Sequence, residues 1–313
     1  MNKSGIKVIR RKQRLFVLGA GCSYEYFKLL TKDLFRRAYS LHKKHVSTEL
    51  MRFLKYLYPK SISGHFVPNS VDIEDLLSTI DVAINVSVAN DGGLFSKEGL
   101  EAIKRNLLGL VVRQLWVPGY QHDELYKNFV ANILPSDSVI TFNYDTLIDR
   151  ELAERFNIPL ERLYFKRTNG VPRLIKLHGS VNWTLKDGKV STLGIGEIAK
   201  TNTDYAIVPP TLYKNPMALG QLWKEARQLI RVADEIFFIG YSMPQLDIPA
   251  RYIFRRGIRM KEHASGDVNI TVVNPDASVL NKYCCMLHPE IRFEKATFRE
   301  YLAKHMGLKE RYK

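Results

Sequence analysis

The sequence predicts an α/β fold: a mostly parallel sheet with helices on both faces and a helical insertion after the first strand–helix unit. Three observations predict it. Short apolar runs alternate with helical patterns after residue 135; the segment at about 35–134 is helical almost throughout; and a β-rich run precedes both, ending in Gly19-Ala20-Gly21. The whole chain, 1–313, reads as one domain containing that insert.

Taken in order, "QRLFVLGAG" is a strand and a tight turn, followed by a helix beginning near Ser23, a residue type suited to capping it. From about 24 to 134 the periodicity is helical. "EDLLSTIDVAI" places Leu76, Leu77, Ile80 and Ile84 on one face, "AIKRNLLGLVVRQLW" repeats Ile103, Leu107, Val111 and Leu115, and "ELYKNFVANI" adds Leu125 and Phe129. The stretches 58–70 and 90–93 carry turn residues and read as surface loops. After 135 come "SVITF", a helix at 145–156, "RLIKL" at 173–177, "YAIV" at 205–208, and a helix at 220–233 with a stripe of Leu222, Trp223, Ala226, Leu229, Ile230 and Ala233. "EIFFIG", a helix from about 248, "VNITVV", a helix at 276–287 and "IRF" complete the alternation, which argues for parallel pairing.

Composition narrows the function classes. With 45% hydrophobic and 11% aromatic residues, 313 positions bury a full-sized core, and the longest apolar runs fall short of the roughly 20 residues a membrane span needs. The basic N-terminus lacks a distinct signal-peptide core, so a cytoplasmic location is expected. Cys22, Cys284 and Cys285 make neither a disulfide framework nor a four-cysteine zinc site, and no metal is expected. Lys plus Arg number 47 against 32 Asp plus Glu, a formal +15, concentrated partly at 7–14 and at 251–261. Such an excess attracts polyanions, so nucleic acid is a candidate partner, although the apolar spacing in 251–261 also fits a solvated helix face.

In open α/β sheets ligands bind beyond the carboxyl ends of the strands. Here those ends carry Gly19-Ala20-Gly21-Cys22-Ser23, Asn143-Tyr144-Asp145, His178-Gly179-Ser180, Gly240-Tyr241-Ser242 and Asn274-Pro275-Asp276. Small residues at 19–21 let backbone N–H groups approach an anion at a helix N-terminus, although Tyr24 stands where a dinucleotide fingerprint has its third glycine, and a plain turn fits the same residues. His178 fits either a structural imidazole or a general base, its ordinary pKa lying near neutrality. Asn143 fits a turn or a polar anchor.

In their order, "FVLGAGCS", "VITFNYD", "IKLHGSVNW", "IVPPT", "IFFIGYSMPQLD" and "VVNPD" resemble the bacterial SIR2-like domain family, relatives of the sirtuins, over residues 16–276. The resemblance implies a Rossmann-like sheet that takes NAD+ as substrate. It implies that Gly19, Ala20, Gly21 and Ser23 line the diphosphate, that Asn143 and Asp145 reach the nicotinamide ribose, and that His178 is the catalytic imidazole. Gly240, Ser242 and Asn274 would flank the adenosine half, with Thr141, Phe142, Tyr241 and Asp247 completing the cofactor-binding set.

Two departures bear on the reaction. Deacylases of the family have a four-cysteine zinc module after the histidine motif; "VNWTLKDGKVSTLGIGEIAK" has no cysteine, which disfavours deacylation. The Gly and Pro that commonly follow the first motif's serine are absent from "YEYFKLLTKDLF". Members without the zinc module are similar to NAD hydrolases of anti-phage defence, so the expected activity is NAD+ glycohydrolysis to nicotinamide and ADP-ribose, with Asn143, His178 and Asp145 as the catalytic set. Such effectors imply a homo-oligomer and a partner such as an ATPase or sensor subunit, since little sequence follows the last motif. The alternative is a non-catalytic NAD- or ADP-ribose-binding subunit of a larger complex.

Overall fold

The computed structural model describes residues 12–58, 71–86, 95–119, 122–200, 203–208, 219–266, 268–287 and 290–308. Nine strands are present among them: β1 (Arg14–Leu18), β2 (Ser138–Thr141), β3 (Arg173–Lys176), β4 (Gly179–Lys186), β5 (Lys189–Thr192), β6 (Tyr205–Ile207), β7 (Glu235–Ile239), β8 (Asn269–Val273) and β9 (Arg292–Glu294). Six form one sheet in the order β3-β2-β1-β7-β8-β9, and every pairing in it is parallel. The central strand explains why. Leu15, Phe16, Val17 and Leu18 are all buried, as a strand covered on both faces requires.

The chain runs outward from β1 to β3, then returns beside β1 at β7 and proceeds the other way. Strand order therefore reverses between β1 and β7, and a crevice opens beyond their carboxyl ends.

Tyr205–Ile207, which the sequence reads as a further parallel strand, instead pairs antiparallel with β4 in a three-stranded sheet of order β5-β4-β6. The cause lies at Gly179, whose φ of +79° turns the chain out of the parallel sheet. A Cβ there would sit 1.8 Å from the Ala206 carbonyl oxygen, so glycine alone permits the β4–β6 approach. The β4–β5 hairpin turns at Asp187-Gly188, both at positive φ, a dipeptide suited to a tight two-residue loop.

Eleven α-helices are described: α1 (Ala20–Phe27), α2 (Thr31–Leu41), α3 (Thr48–Leu57), α4 (Ile73–Val86), α5 (Lys97–Leu115), α6 (Glu124–Ala131), α7 (Leu147–Arg155), α8 (Gly220–Val232), α9 (Ile248–Ser265), α10 (Val279–Met286) and α11 (Phe298–His305). Side-chain caps from Ser47, Ser96, Asp123 and Thr297 accept backbone N–H bonds at the starts of α3, α5, α6 and α11. The stripe read at 220–233 is the buried face of α8.

Buried side chains form two cores. One covers the parallel sheet; the other joins α2 through α5 to Val181, Tyr205 and Ile207 of the small sheet. Helix α6, grouped by sequence with the insert, belongs to the first: Phe129 packs edge-on against Phe16 of β1 with ring centroids 5.2 Å apart. The loop readings at 59–70 and 90–93, residues 7–11 of the first basic run and Pro209-Pro210-Thr211 lie outside the described residues.

Candidate active site

A cavity of about 560 Å³ occupies the crevice where strand order reverses. Its wall includes Ala20, Gly21 and Ser23 after β1, Phe142 through Asp145 after β2, His178 after β3, Gly240 through Ser242 after β7, and Asn274 through Asp276 after β8. All five strand ends singled out by sequence meet there. The volume is that of a small-molecule site.

Asn143 is 8% exposed, and its orientation is fixed from behind. Its Nδ2 donates to the Gly19 carbonyl and to Ser23 Oγ, each at 3.0 Å, while its backbone N–H bonds Thr141 Oγ1 at 3.1 Å. A carbonyl only accepts, so the amide nitrogen is the atom facing Gly19, and Oδ1 is the atom available to a ligand.

Ser23 connects three elements. Its hydroxyl donates to Asp145 Oδ2 at 2.8 Å and accepts from Asn143, and Tyr126 of α6 lies 2.9 Å away. With the serine proton given to Asp145, the Tyr126 hydroxyl is the donor in that contact. The helix reading near Ser23 is thereby corrected. Helix α1 begins at Ala20, and Ser23 sits inside it with its side chain committed across the site rather than capping. Gly19, in extended conformation, is the N-cap residue.

Asp145 is buried and both its oxygens are used, Oδ1 accepting from Leu147 N at 3.0 Å. Burial raises its pKa, opposed by the nearby Lys176 ammonium. Lys176 itself is wholly buried, donating to the Asp145 carbonyl and, at 3.1 Å, to Asp149 Oδ2. Asp149 in turn accepts from Tyr164 at 2.6 Å. A polar network thus underlies the β2 end of the cavity.

His178 is 4% exposed, and its Nε2 lies 3.1 Å from Asp247 Oδ2. The same oxygen accepts from the Tyr241 hydroxyl at 2.9 Å. Tyr241 stacks on Phe142 with centroids 4.2 Å apart, and Phe142 meets the imidazole edge-on at 4.9 Å. Ring packing and carboxylate together fix the imidazole. With the proton on Nε2 facing Asp247, Nδ1 carries the lone pair.

The glycine loop behaves differently from its sequence reading. Gly19 N–H bonds the Ile239 carbonyl, Gly21 N–H the Gly240 carbonyl and Cys22 N–H the Gly19 carbonyl, each at 3.0 Å. Of the four amides from Gly19 to Cys22, Ala20 N–H is the one that makes no such backbone bond among the described residues, and so can meet an anion. The glycines are needed for a second reason. A Cβ on Gly21 would come within 2.7 Å of Gly240 Cα, and Gly240 itself has a φ of +62°, so the loops after β1 and β7 interlock backbone to backbone.

Three residues assigned to cofactor contact stand behind the wall. Gly19, Thr141 and Asp247 do not line the cavity; they hold Asn143, Asn143 and His178 respectively. Conversely, Lys32, Asp72, Glu74 and Lys282 line it without having been singled out. Lys32 and Glu74 lie in the first turns of α2 and α4, so these two helices close one side of the crevice. Sequence carried no signal for them, because charged residues in a helix's first turn ordinarily face solvent. Burial raises the pKa of the Tyr144 and Tyr241 phenols well above the ordinary value, which keeps them neutral donors. Among the described residues no three His, Cys, Asp or Glu side chains gather as metal ligands, and no helix is long and apolar enough to cross a membrane.

A parallel sheet with this reversal of strand order and a polar cavity at the reversal defines a Rossmann-type α/β protein. Within that class, the family model of the SIR2-like domain matches residues 137–285 of this chain. No curated protein matches the chain. Among solved structures, a triply substituted Sir2 homologue in complex with 2′-O-acetyl ADP-ribose aligns at 15% identity, covering 98% of this chain and 97% of that one, with a TM-score of 0.49. A singly substituted Sir2 homologue in complex with ADP-ribose aligns at 15% identity over 99% and 100%, TM-score 0.48. A Sir2 homologue in complex with NAD aligns at 14% identity over 94% and 88%, TM-score 0.45.

Proposed function

We propose that this protein is an NAD+ glycohydrolase, replacing nicotinamide by water at the anomeric carbon to give nicotinamide and ADP-ribose. One observation supports this reading above the others: Asn143 and His178, from different strands, line a single cavity at the reversal of strand order. Nicotinamide leaves as a neutral group, so the transition state resembles an oxocarbenium ion and catalysis rests on positioning and charge complementarity. In this reading Asn143 Oδ1 orients the ribose and the attacking water. His178 Nδ1 takes a proton from that water or polarises a ribose hydroxyl, and Asp247 holds the ring in the tautomer that allows it. Asp145 acts through Ser23, fixing the serine that fixes Asn143.

The diphosphate would lie over α1, where Ala20 N–H and the helix dipole favour an anion. Lys32 and Lys282, both in the cavity wall, supply positive charge there. Depletion of NAD in anti-phage defence, by a homo-oligomer or with a partner subunit, is the role the family resemblance attaches to such a reaction.

Chromatography of NAD+ incubated with the protein over a range of concentrations tests the activity, with calorimetric titration of NAD+ alongside. Release of nicotinamide and ADP-ribose in equal amounts is expected, rising per molecule with concentration if assembly is required. Binding without turnover at every concentration would make the chain a binding subunit; neither binding nor turnover would overturn the reading altogether.

A further inference from the structure

Helices α8 and α9 lie side by side on one face of the parallel sheet. A glycine allows the contact: a Cβ on Gly257 would come within 2.5 Å of Ile230 Cγ2, so α9 could not sit this close to α8 with a larger residue there. Both helices give their apolar faces to the core, with Leu222, Ala226 and Ile230 buried on one and Ile253, Phe254 and Ile258 on the other. What remains outside is basic. Lys224, Arg227 and Arg231 of α8 are exposed at i, i+3 and i+7, and Arg256 and Arg259 of α9 share a face with exposed Tyr252 and Met260.

The acids on these helices do not neutralise the face as a whole. Glu225 is held by Arg173 of β3 at 2.8 Å, whereas Glu262 pairs with Arg259 at 3.1 Å and offsets that one charge, leaving Lys224, Arg227, Arg231 and Arg256 to carry the basic character of the face. Close packing at Gly257 sets the two helices side by side, so the pair together carries a basic strip on its exposed side.

We propose that this strip binds the phosphodiester backbone of a nucleic acid. Charge complementarity selects a polyanion, and three features select this one. Arginine dominates, and its planar fork matches phosphate oxygens in paired hydrogen bonds. Tyr252, 54% exposed and bonded through its hydroxyl to Arg256 at 2.9 Å, offers a flat ring beside the cations on which a base can stack. A membrane-surface helix needs a large exposed apolar face, whereas here the apolar stripes are in the core and the exposed apolar residues, Val232, Ile248, Tyr252 and Met260, are interspersed with cations. The strip lies on a helical layer, away from the strand ends, so nucleic acid binding and turnover in the cavity are separable properties.

Fluorescence polarisation with a labelled duplex DNA and a labelled single-stranded RNA, across a salt series, tests this on the full chain. Affinity should fall steeply with salt, because each phosphate contact releases counterions at a logarithmic slope of about 0.9 for duplex DNA. The triple variant Arg227→Glu, Arg231→Glu, Arg256→Glu should bind at least tenfold more weakly at low salt, with the slope reduced by about 3. Lys186→Glu with Lys189→Glu, on the β4–β5 hairpin, should bind as the wild type does. If charge reversal prevents folding, the corresponding triple glutamine variant serves, judged by an unchanged melting temperature. Wild-type binding by the triple variant, equal loss in the hairpin variant, no binding at low salt, or tighter binding to phosphatidylserine vesicles than to either nucleic acid would each overturn the proposal.

Discussion

The carboxylate of Asp247, from the loop before α9, lies 3.1 Å from Nε2 of His178, which stands 69 residues earlier between β3 and β4. Asp247 is wholly buried and also holds the Tyr241 hydroxyl, so it orients the imidazole without reaching the cavity. Replacing it with asparagine keeps the shape but allows the opposite tautomer. Asp247→Asn should lower kcat for nicotinamide release by about 10²- to 10⁴-fold with little change in KM. Nitrogen NMR of the His178 ring should show the proton leaving Nε2. An unchanged kcat would separate Asp247 from the chemistry.

Removing the polar groups that line the cavity has a different signature. His178→Ala and Asn143→Ala should each fold and each reduce nicotinamide release by at least about 100-fold. Near wild-type turnover in either variant, with a circular dichroism spectrum matching the wild type, would refute the roles given to them.

Gly179 makes a structural prediction. Alanine there must adopt a φ of +79° and place its Cβ against the Ala206 carbonyl. The expected cost is at least about 3 kcal/mol, a fall in Tm of roughly 6 °C or more, with loss of soluble protein as the extreme. Thermal denaturation measures it, and a Tm within a degree or so of wild type would mean that the strands can separate without penalty.

The Lys176–Asp149 pair, with both side chains fully buried, should be costly to break from one side. Lys176→Met should destabilise the fold by about 3–5 kcal/mol, since it leaves a buried carboxylate without its cation. Adding Asp149→Asn should recover part of that loss in urea denaturation, because the stranded charge is then gone.

At the outer edge of the sheet, partial burial pushes the Glu294 pKa up, but bonds from Lys304 and His305 outweigh it and hold the group below its ordinary 4.5. A depressed folded pKa stabilises the protein above the unfolded value, and that stability is lost as pH falls through the folded pKa. Between about pH 5.5 and about pH 3 the wild type should therefore lose more Tm than Glu294→Gln. Equal losses would show that the cluster does not couple to folding.

The sequence by itself determined the parallel sheet and the residues at its strand ends, because a strand buried on both faces must be continuously apolar and the polar residue that ends it is conspicuous. It also determined α8, whose stripe repeats at the helical period. It did not determine which backbone groups were available. The amides of Gly19 and Gly21 looked ready for an anion, but the last residue of β7 and the glycine after it take them up, and only the meeting of β1 with β7 decides that. Tyr205–Ile207 reads as a strand in any sheet, and its transfer to the small one follows from a turn at Gly179 that local pattern does not contain. Tyr126, Lys176 and Asp247 have neighbours in sequence that say nothing of their work. Their roles come from partners 103, 27 and 69 positions away, brought within about 3 Å by packing. Periodicity records which face of an element is buried, whereas a hydrogen bond between distant elements exists only after the sheet order has placed them side by side.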